Sequence, residues 1–361
     1  MLVVRDINNI KIAIETTEAC GVLFKSEDIK KYGINKAGCD FKKILKILKG
    51  DCEMLPLDMV WELTNRCNLN CPFCYIHNVR SGIDVTFEKA KPVIDDAISM
   101  GLLHVILTGG ECTLNKDFLK IYKYLKENGI LVDVYTNGVD ISEDVYETFE
   151  KLPPNKVEIT IYNKEDKRPY NTCLRLKKMK VNLLVKFTVT TTTVSDFDYV
   201  SLWCKENELD FQFDADIFDG LNYNKPSKYM VNENKKLELD KLKYGNYVPT
   251  SIKRITCFEC GAGNISAHIN ANFELACCSK SNERYSLQDS SFGKEYSKMK
   301  NAILKVKGND IVNCKGCIAR EFCRMCSVKA QKNILPDGNV EYVVDRNFCK
   351  DAMYRYHKLF G

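Results

Sequence analysis

Three cysteines fall within eight residues in CNLNCPFC, at Cys67, Cys71 and Cys74, a C-x3-C-x2-C spacing. The thiolate is the metal-binding form of cysteine, and three thiolates on one tight loop can converge on a single centre. A zinc ion and a four-iron cluster each call for four ligands, so a set of three leaves one position over. Catalytic metals keep such a position open for a substrate or water. A zinc site closed by a further side chain, such as His77, is the other reading of the same loop.

Two more stretches carry chemistry. LLHVILTGGECTLN ends a strand-like run in Gly109-Gly110-Glu111, where glycines let backbone approach a ligand and a carboxylate can accept from an ammonium group. Nine of the 18 cysteines lie between Cys257 and Cys349, with CKGCIAREFCRMC giving C-x2-C-x5-C-x2-C. That spacing suits a zinc knuckle or a cluster-binding segment, and nine cysteines exceed what one zinc needs.

The elements that must position these residues alternate. LDMVWELT reads as a buried strand that delivers the first cysteine loop. LLHVILT, ILVDVYT, KVEITIY, NLLVKFTVTTTT and DFQFDADI follow as strands, with helical spacing at 87–100, after Asn115, at 142–151 and at 195–207. Pro92 predicts a late start or a kink in the first of these helices, and Asn115 is placed to cap the second. Repeated β-then-α units imply a parallel sheet covered by helices, either open or closed into a partial barrel. Chemistry in such sheets sits at the carboxyl ends of the strands, where the cysteine loop and GGE both fall.

The segments divide as 1–57, an N-terminal extension with strands at VVRDI and IKIAIE and a helix at FKKILKILKG; 58–218, the βα core; 219–254, a connector with a short helix at 233–243; and 255–361, a cysteine-rich segment expected to be organised by metal more than by a large core. The whole is 361 residues, 45% hydrophobic and 28% charged, as a globular chain with a sizeable core should be. A net charge of +5 with acids interspersed among the lysines excludes a nucleic-acid stripe. MLVVRDINNIK has no signal-peptide pattern and no run is apolar enough to span a membrane, which predicts a cytoplasmic protein without a membrane partner.

C-x3-C-x2-C with Phe73 before the last cysteine, followed by Gly109-Gly110-Glu111, resembles the radical S-adenosylmethionine superfamily. The resemblance implies a partial (β/α)6 TIM-like barrel in which Cys67, Cys71 and Cys74 hold a [4Fe–4S] cluster. Its fourth iron would be chelated by the amino and carboxylate groups of S-adenosylmethionine, which is cleaved reductively to a 5′-deoxyadenosyl radical. Gly109, Gly110 and Glu111 would hold the methionine amino group, with Asn137 in YTNG and Thr160 as further cofactor contacts. The chain departs from the family in having Cys112 where proline usually follows GGE, read here as a small buried residue, and Thr160-Ile161-Tyr162-Asn163 in place of a Ser-x-Asp-Gly-like turn.

The C-terminal segment resembles the SPASM domain, a small cysteine-rich iron–sulfur extension. That resemblance implies two auxiliary [4Fe–4S] clusters, one on Cys257, Cys260, Cys277 and Cys326, the other on Cys314, Cys317, Cys323 and Cys349. Cys278 lies beside Cys277 and either could be that ligand; Cys277 is favoured, which leaves Cys278 without an assigned role. Enzymes of this kind largely modify peptides or proteins, so the implied function is maturation of a ribosomal peptide by crosslinking or oxidation. A sulfatase-maturase-like oxidase forming formylglycine is the alternative, and a non-catalytic iron–sulfur or zinc-organised protein the alternative of another class. The implied partners are a peptide or protein substrate and an electron donor such as a flavodoxin or ferredoxin. Asp214 and Asp216, two apart at a strand end and so on one side, are candidate bases.

Overall fold

The computed structural model describes residues 2–7, 10–15, 20–25, 39–40, 56–74, 82–217, 226–244, 262–304, 311–319, 323, 331–343 and 349–360. The helix expected at 41–50, His77, and Cys257, Cys260 and Cys326 lie outside these residues.

β1 (Leu2–Ile7), β2 (Ile10–Glu15), β3 (Cys20–Lys25) and β4 (Cys39–Asp40) form an antiparallel sheet in sequence order. The first two are the strands expected there, and the sequence reading had not singled out the other two.

A second sheet begins with six parallel strands: β5 (Asp58–Glu62), β6 (His104–Thr108), β7 (Leu131–Thr136), β8 (Lys156–Ile161), β9 (Leu183–Thr188) and β10 (Asp210–Asp214). Each pairs with the next through helices α1 (Phe87–Ser99), α2 (Phe118–Glu127), α3 (Glu143–Lys151), α4 (Arg168–Lys178) and α5 (Phe197–Glu206). One face of these strands is apolar and fully buried, carrying Met59, Trp61, Val105, Val134, Ile159 and Val185 toward the helices. The opposite face lines a central cavity reached from strands of both halves, which makes the sheet a partial (β/α)6 barrel of the expected TIM-like kind.

Local details correct three readings. α1 runs unbroken through Pro92, because Ala90, Val93, Ile94 and Ala97 form a buried stripe and Thr86 caps the start. Asp117, not Asn115, precedes α2 as its cap residue. The Asn115 amide instead donates to Leu63 O (2.6 Å) and Val85 O (3.0 Å). α4 was missed, although Pro169 at its start and the buried Tyr170, Cys173 and Leu176 carry the helical signal.

The polar face holds charge at the amino ends of the strands. His104 Nδ1 is 2.7 Å from Asp58 Oδ1, its Nε2 is 3.3 Å from Asp133 Oδ1, and Lys156 Nζ is 3.0 Å from Asp133 Oδ2. Burial alone would push the imidazole toward neutrality, but Asp133 and Asp58 outweigh it and raise its pKa to about 9. An unfolded histidine titrates near 6.5, so the stabilisation is complete below about that pH and is lost as pH rises through about 9. Urea unfolding of His104→Asn should therefore show about 3–5 kcal/mol lower stability near neutrality. The variant should also lack the parent's decline between pH 7 and 9, roughly the window set by the two pKa values.

The second sheet does not stop at β5. β11 (Ser266–Ile269) pairs with β5 in parallel, and β12 (Glu274–Ala276) and β13 (Tyr285–Ser286) continue it antiparallel. Asn270 Oδ1 accepts from Asn272 N and Glu274 N, both at 3.0 Å, and Phe273 turns the chain at a φ of 58° before meeting Trp61 edge-on at 6.1 Å. α7 (Phe292–Leu304) buries Phe292, Tyr296 and Met299 against the same core, and Gly293 N donates to Asp96 Oδ2 of α1 at 2.9 Å. Apolar packing against the barrel core helps to organise residues 262–304.

Beyond them stand the hairpin β14 (Gln331–Ile334) and β15 (Val340–Val343) and a last helix, Lys350–Phe360. Within the connector, α6 (Glu233–Tyr244) holds that helix through Asp240, whose Oδ2 is 2.5 Å from Arg355.

Candidate active site

The first cysteine loop leaves β5 through a clamp of polar contacts. Arg66 Nε and NH2 grip Asp84 at 3.0 and 2.5 Å, and Arg66 also donates to Leu114 O. Thr64 Oγ1 donates to Asp84 Oδ1 at 2.6 Å, and Ile83 N donates to Asn65 Oδ1 at 2.9 Å. A bidentate guanidinium fixes direction as well as distance, so the backbone just before Cys67 is held in place.

β6 presses against this backbone through its two glycines. A Cβ on Gly109 would lie 2.4 Å from Thr64 O, and one on Gly110 would lie 2.2 Å from Arg66 O. Gly110 N and Glu111 N donate to those same carbonyls at 2.7 and 2.8 Å. Gly109 also has a φ of 149°. The glycines line the cavity, yet what demands them is approach to the cysteine loop, where approach to a ligand had been expected.

Glu111 is held by contacts within the protein. Its carboxylate is fully buried and accepts from Thr113 N (3.2 Å), Thr113 Oγ1 (2.8 Å), Thr136 Oγ1 (2.8 Å) and Asn137 N (2.7 Å). Burial lifts it above the usual carboxylate range despite these donors. The side chain ties the end of β6 to the end of β7 and does not point at the cavity to receive an ammonium. Cys112 beside it is buried, its thiol pushed well up by burial and directed to Tyr135 O at 3.3 Å, as a small packed residue.

Cys67, Cys71 and Cys74 line one cavity of about 350 Å³ together with Gly109, Gly110, Asn137 and Thr160. Asn137 Nδ2 donates to Asn68 Oδ1 at 2.8 Å and stands 3.8 Å from Cys67 Sγ. Burial, then the neighbouring Cys74 and Cys67, push the Cys71 thiol up to about 12 against the hydrogen bond from Tyr162. Thiols that raise one another in this way form a donor set whose charge calls for a cation.

The same cavity is also lined by Glu158, Lys186, Asp214 and Asp216. Asp214 and Asp216 therefore do share a side. Asp214 lies 3.8 Å from Lys186 and 3.6 Å from Lys243, and Asp216 lies 3.1 Å from Lys236. Burial raises Glu158, with Lys186 and Lys156 pulling the other way. Glu158, Lys186, Tyr162 and the Arg66–Asp84 clamp were missed in the sequence. Alternation along KVEITIY already put Glu158, Thr160 and Tyr162 on one face.

Of the C-terminal cysteines, Cys277 is buried among core side chains just after β12. Cys278, Cys314, Cys317, Cys323 and Cys349 are partly buried and not joined in disulfides, and Cys317 N turns back onto Cys314 O at 3.4 Å.

Residues 61–182 match the family model of the Radical SAM superfamily, so the chain carries a Radical SAM domain. It is 28% identical over 145 residues to Fe-coproporphyrin III synthase of Methanosarcina barkeri, covering 39% of this chain and 35% of that protein. It is 32% identical over 92 residues to PqqA peptide cyclase of Bradyrhizobium diazoefficiens, covering 25% of this chain and 24% of that one. These matches thus span about a third or less of the relatives' own lengths. The fold is shared with Streptococcus suis SuiB bound to the precursor peptide SuiA, at a TM-score of 0.66 and 14% identity, covering 91% of this chain and 94% of that one.

The family implies a [4Fe–4S] cluster and S-adenosylmethionine. The residues fit both. Three cysteine sulfurs around one cavity are the donor set that a cluster with one iron left open calls for, and Gly109, Gly110 and Asn137 line the space beside them. No helix among the described residues is long and apolar enough to cross a membrane.

Proposed function

We propose that this chain is a radical enzyme that modifies a peptide substrate, either by crosslinking or by oxidation. The observation that carries the reading is the meeting of Cys67, Cys71 and Cys74 with Gly109, Gly110 and Asn137 on one cavity that charged side chains also line. Bound there, a four-iron cluster and S-adenosylmethionine supply a 5′-deoxyadenosyl radical that abstracts a hydrogen atom. The protein's own work is positional. Arg66 and Asp84 fix the loop, Glu111 fixes the β7 end, and Gly109, Gly110, Asn137 and Thr160 shape the cofactor's side of the cavity.

Glu158, Asp214 and Asp216 are the groups on the substrate side able to take a proton when oxidation releases one. Glu158 is the favoured base, because burial raises its carboxyl pKa, whereas Asp214 and Asp216 are engaged by Lys186 and Lys236. A peptide substrate is supported by the PqqA peptide cyclase similarity and by the SuiB–SuiA complex of the same fold. The antiparallel sheet within residues 1–57 is a candidate for recognising part of that peptide. Auxiliary clusters on Cys257, Cys260, Cys277 and Cys326 and on Cys314, Cys317, Cys323 and Cys349 belong to the proposal on their spacing. They would accept the electron left by oxidation, and a cytoplasmic flavodoxin or ferredoxin would supply the reducing electron.

The test is anaerobic reconstitution followed by reaction with a strong reductant. About twelve irons per chain, the content of three four-iron cubes, with formation of 5′-deoxyadenosine supports the reading. Mass loss of two hydrogens in a co-encoded precursor peptide assigns crosslinking or oxidation. The same change in a sulfatase-derived Ser peptide, or that loss followed by hydrolytic exchange of sulfur for oxygen in the Cys peptide, assigns the formylglycine alternative instead. Zinc in place of iron, or iron without cleavage, overturns the radical reading.

A further inference from the structure

β11 lies beside β5 with His268 opposite Val60, so Glu62, two residues further along β5, is its diagonal neighbour on the same face. His268 is 2% exposed and Glu62 7%, and Nε2 of the imidazole stands 3.0 Å from Glu62 Oε1. The other ring nitrogen, Nδ1, is 3.2 Å from Arg284 NH1. A guanidinium only donates, so Nδ1 accepts, which puts the ring's hydrogen on Nε2 and aims it at the carboxylate. The imidazole is a neutral bridge between an acid at the end of β5 and a base in the C-terminal segment.

Arg284 also reaches across the loop that follows β12, where its NH2 donates to Ser279 O at 3.1 Å. Lys280 N donates to Cys278 Sγ at 3.4 Å and Ser281 N to Cys278 O at 3.1 Å, so residues 278–284 fold as one compact loop. Lys280 of this loop lines the same cavity as Cys67, Cys71, Cys74, Gly109 and Gly110. The relay thus joins two parts of one cavity: the strand that leads into the cysteine loop, and the loop that carries Lys280.

We propose that Glu62, His268 and Arg284 are positioning residues that hold the 278–284 loop as a wall of the active cavity, so that S-adenosylmethionine affinity depends on the C-terminal segment. The physical reason is preorganisation. A ligand enclosed by a cavity of about 350 Å³ draws contacts from every wall, and a wall that must be ordered at each binding event subtracts that cost from the affinity. The relay orders the loop before the ligand arrives. The inference rests on the cofactor reading above.

The experiment uses the full-length reconstituted protein with two readouts: hydrogen–deuterium exchange of residues 278–284, and calorimetric titration with S-adenosylmethionine. His268→Leu removes both bonds of the bridge, and Arg284→Met removes the far half while leaving Glu62 its histidine. Both should speed exchange in the loop and weaken cofactor binding by up to about tenfold. His268→Gln carries a donor and an acceptor side by side, so it should keep both readouts close to the parent's. The EPR signal of the first cluster should persist in all three, because the Arg66–Asp84 clamp holds the cysteine loop.

Unchanged exchange in His268→Leu and Arg284→Met overturns the proposal, whatever the affinity does. Faster exchange at unchanged affinity overturns it too, since the loop would then be no wall for the cofactor. If His268→Gln behaves as His268→Leu, the two-sided bridge is not the device. Weakened binding with the first cluster's signal lost assigns the effect to the cysteine loop and also overturns it. Should His268→Leu fail to fold, Arg284→Met decides. A parent that takes up iron but binds no S-adenosylmethionine defeats the cofactor reading itself, whereas a parent that binds it while the variants match defeats only the relay.

Discussion

Cys71→Ala protein, reconstituted without oxygen, is expected to hold about four irons fewer than the parent and to form no 5′-deoxyadenosine. The middle cysteine is the most informative of the three. Burial first, and then the neighbouring Cys74 and Cys67, push its pKa up, so both other thiols lie close enough to be felt. A cube held by two cysteines has too few ligands to persist, and retained iron at the other clusters would show that the loss is local. Far-UV circular dichroism should be unchanged, because the loop is held by the Arg66–Asp84 clamp and not by Cys71. Measured iron equal to the parent's, or cleavage that survives the substitution, would remove Cys71 from the cluster.

The second large effect is expected at Glu111. Replacing it by alanine leaves Asn137 N, Thr136 Oγ1 and both Thr113 donors facing a buried gap. Buried donors left without acceptors cost about 1–3 kcal/mol each, and partial relaxation makes a total of about 3–5 kcal/mol reasonable. Urea unfolding reads that loss directly. A cofactor effect should accompany it, since freeing Asn137 loosens the residue beside Cys67, and calorimetric titration should find weaker S-adenosylmethionine binding. Glu111→Gln separates the two roles. It keeps one acceptor oxygen for the threonines while turning an amide donor toward Asn137 N, so it should recover part of the stability but not the ordered β7 end. If Glu111→Ala unfolds at the parent's urea concentration, the carboxylate is not the tie described here.

Much of this arrangement was legible in the sequence, and the reasons differ by residue. Most of the parallel strands announced themselves because one face is a row of apolar, largely β-branched residues, as in VEITI and LLVKF. The cysteine loop was legible because ligand spacing is a local property. GGE was legible as a motif but misread in its physics, because sequence shows that glycine is needed without showing which atom comes close. That atom proved to be a carbonyl of the neighbouring strand end. Asn115 was misread for the same reason: its partners are 52 and 30 residues away, and a good cap residue was drawn off by them. The hairpin in SAHINANFELA was hidden because the surrounding cysteines suggested metal, while its pairing with β5 spans two hundred positions of sequence, as with His268 and Glu62 at a separation of 206.

The pairing of β11 with β5 bears on how the chain can be divided. A protein cut after the barrel would end with β5 as a bare margin, its amides and carbonyls unpaired beside the apolar Met59 and Trp61. Unpaired strand margins of that kind recruit other chains and aggregate. The carboxyl-terminal third therefore acts as a selvedge, the finished border that keeps the woven sheet from catching on its neighbours. A change in the sequence of either part has to respect the seam they share, so the two are expected to be inherited, expressed and lost as one piece.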